Sequence, residues 1–132
     1  MGESPNDRRY TRQHEWARAD GDRIVVGITD YAQEQLGDVV YVGLPDEGAV
    51  IAQGEPMGEV ESTKSVSDVY SPVSGTVLEK NADVEGSPEL LNSDPYSKGW
   101  LVAVKGDASS LEDLLTAEEY EEFVSGAELR CR

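Results

Sequence analysis

Apolar positions in this chain come in short runs, and their spacing predicts mostly strands. His14–Ala19 and Asp22–Ile28 flank an Asp20-Gly21 pair, the residue type that supplies the positive φ angles of a tight hairpin. After Ile28 the period changes. Thr29 and Asp30 cap a short helix over residues 29–36, the Asp30/Gln33 spacing fits a capping box, and Gly37 stops the helix. Asp38–Leu44 is β-branched and aromatic and ends at Pro45. Four further short strands are expected at Ala49–Ala52, Met57–Glu61, Ser65–Tyr70 and Thr76–Glu79, separated by glycine and proline. That spacing suits a small sandwich or barrel better than βαβ units. DVVY (Asp38–Tyr41), Gly48-Ala49-Val50 and Gly54-Glu55-Pro56 are echoed, at unequal offsets, by DVY (Asp68–Tyr70), Gly75-Thr76-Val77 and Gly86-Ser87-Pro88. The echo suggests two similar β halves joined at residues 61–67.

Toward the C-terminus, Asn92–Pro95 (NSDP) reads as a helix cap with proline at the first helical position, and Gly99–Lys105 as a last strand. Ser110–Val124 is helical in pattern. Its two apolar patches (Leu111, Leu114 and Leu115; Tyr120, Phe123 and Val124) and two capping-box spacings (Ser110/Asp113 and Thr116/Glu119) allow two short helices in series. The organisation expected is an N-terminal tail over 1–8, one domain over 9–124 and a loose tail over 125–132.

Composition narrows the function classes. A chain of 132 residues suits one domain, and 38% apolar residues argue against a disordered one. No apolar run is long enough to span a bilayer. With 27 acidic and 11 basic residues the net charge is −16, which repels phosphate backbones and anionic membrane surfaces, so partners with basic clefts are expected and nucleic acid is not. Five arginines balance the acids of residues 1–23; beyond them, up to residue 129, the only bases are Lys64, Lys80, Lys98 and Lys105. The one cysteine, Cys131, allows no intramolecular disulfide, and Met1–Asp7 lacks the apolar core of a signal peptide, so a cytoplasmic protein is expected; oligomeric state is open, with a monomer as the default. His14 is the only histidine, which leaves no basis for a metal site or a catalytic triad; its expected role is to hold the Tyr10–Trp16 segment. Trp16 and Trp100 read as core or core-edge aromatics.

The chemically informative stretch is Gly58–Gly75 (GEVESTKSVSDVYSPVSG). Lys64, flanked by Thr63 and Ser65, falls at a hairpin tip where the two halves meet, with Glu59, Glu61 and Asp68 close in sequence. An ordinary solvated turn lysine would look the same in isolation.

Wider motifs decide between those readings. Tyr10-Thr11, His14-Glu15-Trp16, Val26–Ala32 (VGITDYA), Leu36–Val39 (LGDV), Leu44-Pro45, Glu61–Asp68 (ESTKSVSD), Ser71–Gly75 (SPVSG), Pro88–Pro95 (PELLNSDP) and Gly99-Trp100-Leu101 occur in the order found in the H proteins of the glycine cleavage system, and the chain resembles that family over residues 9–124. Biotin carriers typically read Met-Lys-Met at the tip and lipoyl domains of 2-oxoacid dehydrogenases Asp-Lys-Ala; Glu61-Ser62-Thr63-Lys64-Ser65 is of the H-protein style. The resemblance implies a mainly β, lipoyl/biotinyl-type barrel-sandwich hybrid of two quasi-symmetric β halves, with a short helix near 29–36 and helix near 110–124. It implies lipoate on Lys64 and a non-catalytic carrier. Such a carrier takes the aminomethyl group of glycine from a pyridoxal-phosphate decarboxylase (P component) to a folate-dependent aminomethyltransferase (T component). Dihydrolipoyl dehydrogenase (L component) then reoxidises it, and a lipoate ligase or lipoyl transferase attaches the arm. Amidation removes the charge of a lysine, and the five-membered dithiolane cannot reach the dihedral a disulfide prefers, so it opens readily.

Glu15 and Asp68 match acidic positions that the resemblance assigns to parking the loaded arm; the alternative for each is a solvated surface acid. Tyr31 stands where some members have histidine, so a phenol would replace an imidazole there. Two other roles compatible with these residues are a relay that donates lipoate to other carriers and an unmodified acidic interaction module. Chain made in a lipoylation-competent host is expected to gain one lipoyl mass on the peptide containing Lys64 and none after Lys64→Arg, as read by intact-mass spectrometry with peptide mapping.

Overall fold

The structure, a computed structural model, describes residues 5–130. Strand β1 (Arg9–Tyr10) leads into β2 (Glu15–Asp20), which turns at Gly21 into β3 (Arg23–Ile28), with Asp20 paired to Arg23 as the Asp20-Gly21 signal predicts. Helix α1 (Asp30–Leu36) follows. Thr29 caps it by accepting from the Ala32 amide at 3.1 Å, and Gln33 Nε2 donates to the Asp30 carboxylate at 2.8 Å. Strands β4 (Val39–Gly43), β5 (Val50–Ile51), β6 (Pro56–Ser62), β7 (Val66–Tyr70) and β8 (Gly75–Lys80) fall on the five strand-forming runs, and β9 (Val102–Lys105) closes the series. They form two antiparallel sheets, one of six strands in the order β1-β2-β3-β9-β8-β5 and one of three in the order β4-β6-β7. The fold is mainly β, as expected. No helix among the described residues is long and apolar enough to cross a membrane.

Two of the three sequence echoes have a spatial meaning. DVVY and DVY supply β4 and β7, the strands on either side of β6, while GAV and GTV supply β5 and β8, which pair with each other through Val50↔Thr76 and Ile51↔Gly75. The two halves therefore interleave. The third echo has no counterpart: Gly54 precedes a strand, whereas Gly86 ends helix α2 (Ala82–Gly86).

Between β8 and β9 the structure departs from the sequence pattern. Helices α2 and α3 (Leu90–Ser93) occupy the connection, and NSDP ends a helix instead of starting one, because Asp94 is the C-cap of α3. Pro95 then marks where the helix cannot continue. The last strand starts at Val102 and not Gly99.

At the C-terminus a 3-10 helix (Ala108–Leu111) is capped by Asp107 rather than Ser110. The Thr116/Glu119 capping box does form: Glu119 N donates to Thr116 Oγ1 at 3.2 Å and Thr116 N to Glu119 Oε1 at 2.9 Å. It opens α4 (Ala117–Arg130), so residues 125–130 extend a helix where a loose tail was expected, and 131–132 lie outside the described residues. Within the expected N-terminal tail, Arg8 lies over the Trp16 ring at 4.6 Å and donates to the Tyr96 carbonyl at 2.9 Å.

Strand β3 carries apolar residues on both faces. Ile24, Val26 and Ile28 join the main core with Val60, Val69, Val77, Leu101 and Val104. Val25 belongs to a second cluster with Tyr10, Trp16, Ala117, Tyr120 and Val124, which docks α4 on the outside of the large sheet. Trp16 is the centre of that second layer: it is fully buried, donates from Nε1 to the Pro95 carbonyl at 3.0 Å, and lies on Gly27, where a Cβ would stand 2.5 Å from the indole. Gly27→Ala is therefore expected to displace Trp16 and lower stability by about 1–3 kcal/mol, the range for overpacking a tight core, as measured by urea unfolding.

Candidate functional site

The hairpin tip between β6 and β7 is organised by Ser62. Its amide donates to Ser65 O at 2.8 Å, closing the turn, and its buried hydroxyl accepts from the amides of Lys64 at 3.2 Å and Ser65 at 3.1 Å. A serine hydroxyl that satisfies the turn amides from inside stiffens a loop that would otherwise depend on water. Thr63, Lys64 and Ser65 are exposed, as is Glu61, which sits in register between Tyr41 and Val66.

The tip is tied down from one side. Thr63 N donates to Asp38 O at 3.1 Å, in the link between α1 and β4. Asn92 of α3 braces that link at three points: Nδ2 donates to Gly37 O at 2.8 Å and to Gln33 Oε1 at 3.0 Å, and Oδ1 accepts from Val39 N at 2.9 Å. Gly37 has φ 80°, and a Cβ there would stand 3.0 Å from Lys64 Cε, so the lysine stem lies along a bare stretch of backbone. Among the described residues Lys64 forms no salt bridge, whereas Lys80 reaches Asp46 and Glu85 at 3.6 Å each.

Beside the tip lies a groove of about 450 Å³ between β7, α1 and the turn that joins β1 to β2. Ile28, Ala32, Leu36, Val60 and Val69 give it apolar surface; His14, Glu15, Tyr31, Ser65 and Asp68 add the polar groups. The three residues singled out with Lys64 in the sequence thus line one cavity, although they come from three elements.

Their environments differ. Glu15 is 2% exposed and is not the solvated acid that the alternative reading required. Its Oε1 accepts from the Thr11 hydroxyl at 2.7 Å and its Oε2 from Tyr70 N at 3.3 Å. Burial outweighs these two hydrogen bonds and pushes the carboxyl up to about 7. Asp68 is exposed, opposite Glu59 in the β6–β7 register. Tyr31 is half-buried and its ring packs on His14 with centroids 4.7 Å apart.

His14 holds its segment as anticipated, with Nδ1 hydrogen-bonded to the Tyr120 hydroxyl at 2.8 Å, and burial lowers its pKa. Thr11, Asn92 and Gly37 were not singled out for the site. All three lie inside the motifs that carry the family resemblance, but periodicity alone carries no sign of contacts with residues from other elements.

These features fit a lipoyl arm. Forming an amide at Lys64 breaks no ion pair, the stem has a bed at Gly37, and the groove offers apolar wall for a dithiolane and carboxyl groups for a cation. A small β domain that offers a lysine at a braced hairpin tip beside such a groove has the build of a carrier protein. The family model for the glycine cleavage H-protein matches residues 8–127. A glycine cleavage system H protein of Rubrobacter xylanophilus is 58% identical over 120 residues, covering 91% of this chain and 94% of the relative. One from Mycobacterium avium is 60% identical over 119 residues, covering 89% and 90%. The crystal structure of a glycine cleavage system H protein from Mycobacterium marinum superposes with a TM-score of 0.82 at 43% identity, covering 89% of this chain and 95% of that one. The chain belongs to the glycine cleavage H-protein family, and with it is a non-catalytic lipoyl carrier.

Glu15 sets a pH dependence. The folded carboxyl titrates at about 7 against an ordinary 4.5, so between those values the folded state binds more protons than the unfolded one, and stability falls as pH rises. His14, with its lowered pKa, acts in the opposite sense, so the informative quantity is the difference from Glu15→Gln, in which His14 is common. Relative to that variant, the wild-type chain is expected to lose up to about 3 kcal/mol between those pH values, measured by urea unfolding across the range.

Proposed function

We propose that Lys64 is the lipoylated residue and that the groove beside it shelters the arm while it carries the aminomethyl group of glycine between the P, T and L components. The single observation that carries this reading is that Glu15, Asp68 and Tyr31 line one cavity directly beside the lysine tip. Lipoate would supply a cyclic disulfide that opens on reduction and accepts a one-carbon amine.

The chain's own residues do the rest. Ser62 and Asn92 hold the tip so that Lys64 projects from a fixed base. Glu15 meets a cationic amine from within a buried pocket, where its charge–charge attraction is screened less than at the surface. An amine cation at that point favours the ionised carboxyl and draws its pKa back down. Asp68 adds a second negative charge from the exposed side, and Tyr31 with His14 covers one wall against water. The acidic surface suits components with basic mouths around their active sites.

Lipoylated chain supplied with a glycine decarboxylase component and glycine is expected to gain an aminomethyl mass on the Lys64 peptide. Glu15→Gln and Asp68→Asn should load but release formaldehyde and ammonia several-fold faster than wild type. A lipoylated chain that takes up no aminomethyl group and instead passes lipoate to other carriers would replace this reading with the relay.

A further inference from the structure

The groove's acidic wall hangs on an unusual piece of backbone. His14 has φ 71°, a left-handed conformation that an L side chain with a Cβ rarely adopts, and it directly precedes Glu15. Within the turn, the Thr11 hydroxyl accepts from the amides of Gln13 and Glu15, both at 3.2 Å, and donates to the Glu15 carboxyl. These contacts tie Glu15 to Thr11, while the backbone bond from Thr29 N to His14 O at 3.0 Å joins the turn to the start of the facing wall. That wall is α1, which bears Tyr31 and Leu36 and starts from the Thr29 cap.

One side-chain hydroxyl also touches both. Tyr120, on α4, is 1% exposed and does not line the groove, yet its oxygen lies 2.8 Å from His14 Nδ1 and 2.8 Å from Thr29 Oγ1. Thr29 Oγ1 is at the same time the acceptor for Ala32 N, so the bond from Tyr120 reaches the group that caps α1. The ring itself is fixed by stacking on Tyr10, with centroids 4.8 Å apart and planes 14° apart, and the His14 ring is enclosed by Tyr31, Tyr120 and Phe123.

We propose that Tyr120 is a positioning residue for the arm: its hydroxyl adds to that backbone bond a side-chain lock between the left-handed turn that aims Glu15 into the groove and the cap of the helix that forms the opposite wall. The C-terminal helix thereby sets the geometry around a cargo it does not touch. The inference rests on the sheltering role proposed for the groove. A phenylalanine at 120 keeps the stack on Tyr10 and removes both hydrogen bonds, which separates positioning from packing.

Two readouts on the full chain test it. In unlipoylated Tyr120→Phe, hydrogen exchange followed by NMR is expected to speed up tenfold or more at the amides of His14, Glu15 and Ala32 while those of β9 keep their wild-type rates. In the lipoylated, glycine-loaded variant, hydrolysis of the thioether (water adds, the C–S bond breaks, and thiol, formaldehyde and ammonia leave) is expected to run several-fold faster than in wild type. Thr29→Ser, which keeps the hydroxyl, should match wild type in both.

Exchange that rises evenly over the whole chain, or a folded Tyr120→Phe with wild-type exchange and release, overturns the proposal. If Tyr120→Phe does not fold, Thr29→Ala cuts one of the two bonds with Tyr120 in place; local acceleration at His14 and Glu15 then supports the proposal and its absence overturns it. A wild-type chain that releases its cargo as fast as the free small-molecule thioether refutes the shelter itself, and the exchange pattern still decides what Tyr120 does.

Discussion

Strand β3 is covered on both of its faces, and the rest of the molecule is arranged around that burial. Ile24, Val26 and Ile28 enter the main core on one side, while Val25 and the bare backbone of Gly27 lie under Trp16 and α4 on the other. A strand buried twice needs two apolar layers, and the second layer is what recruits the C-terminal helix. Because β3 runs straight into the Thr29 cap of α1, and β2 beside it starts at Glu15, the same packing places both walls of the groove. The groove thus inherits its rigidity from the core.

The tip and the groove are built by different means. Lys64 stands at the end of a hairpin whose turn is closed locally by Ser62, and braced at a distance by Asn92 through the Gly37–Val39 link. The proposed attachment site needs a firm base and a free end: the backbone at the tip is tied, and among the described residues the Lys64 amine forms no salt bridge. The groove, by contrast, gathers a buried carboxyl, a half-buried imidazole and an exposed carboxylate from separate elements. Their burial, more than their identity, sets their chemistry. Glu15 is held near neutrality by desolvation, a state in which a modest nearby charge can decide whether it is ionised.

Much of the architecture could be read along the chain because it is encoded by neighbours. The Asp20-Gly21 turn, the Thr29 cap, the Gly37 stop and the Thr116/Glu119 box are each a few residues long and settle local conformation directly. The NSDP segment misled for the same reason. A polar residue before a proline fits a helix start as well as a helix end, and only the docking of α3 against α1 and β4 gave Asn92 its role as a brace. Gly126 fits a helix stop as well as Gly37 does, yet α4 runs through it to Arg130 from a segment anchored by Tyr120 and Val124.

The sequence by itself determined the strand-rich plan, the lysine at a hairpin tip and, through its motif order, the resemblance to a carrier family; these depend on residue type and on spacing within short windows. Tertiary structure alone decided that Glu15 is buried, that it shares a cavity with Asp68 and Tyr31, and that a tyrosine about a hundred residues downstream joins His14 to Thr29. Burial and long-range hydrogen bonds are properties of packed surfaces, which come into being only when β3 has been covered on both sides.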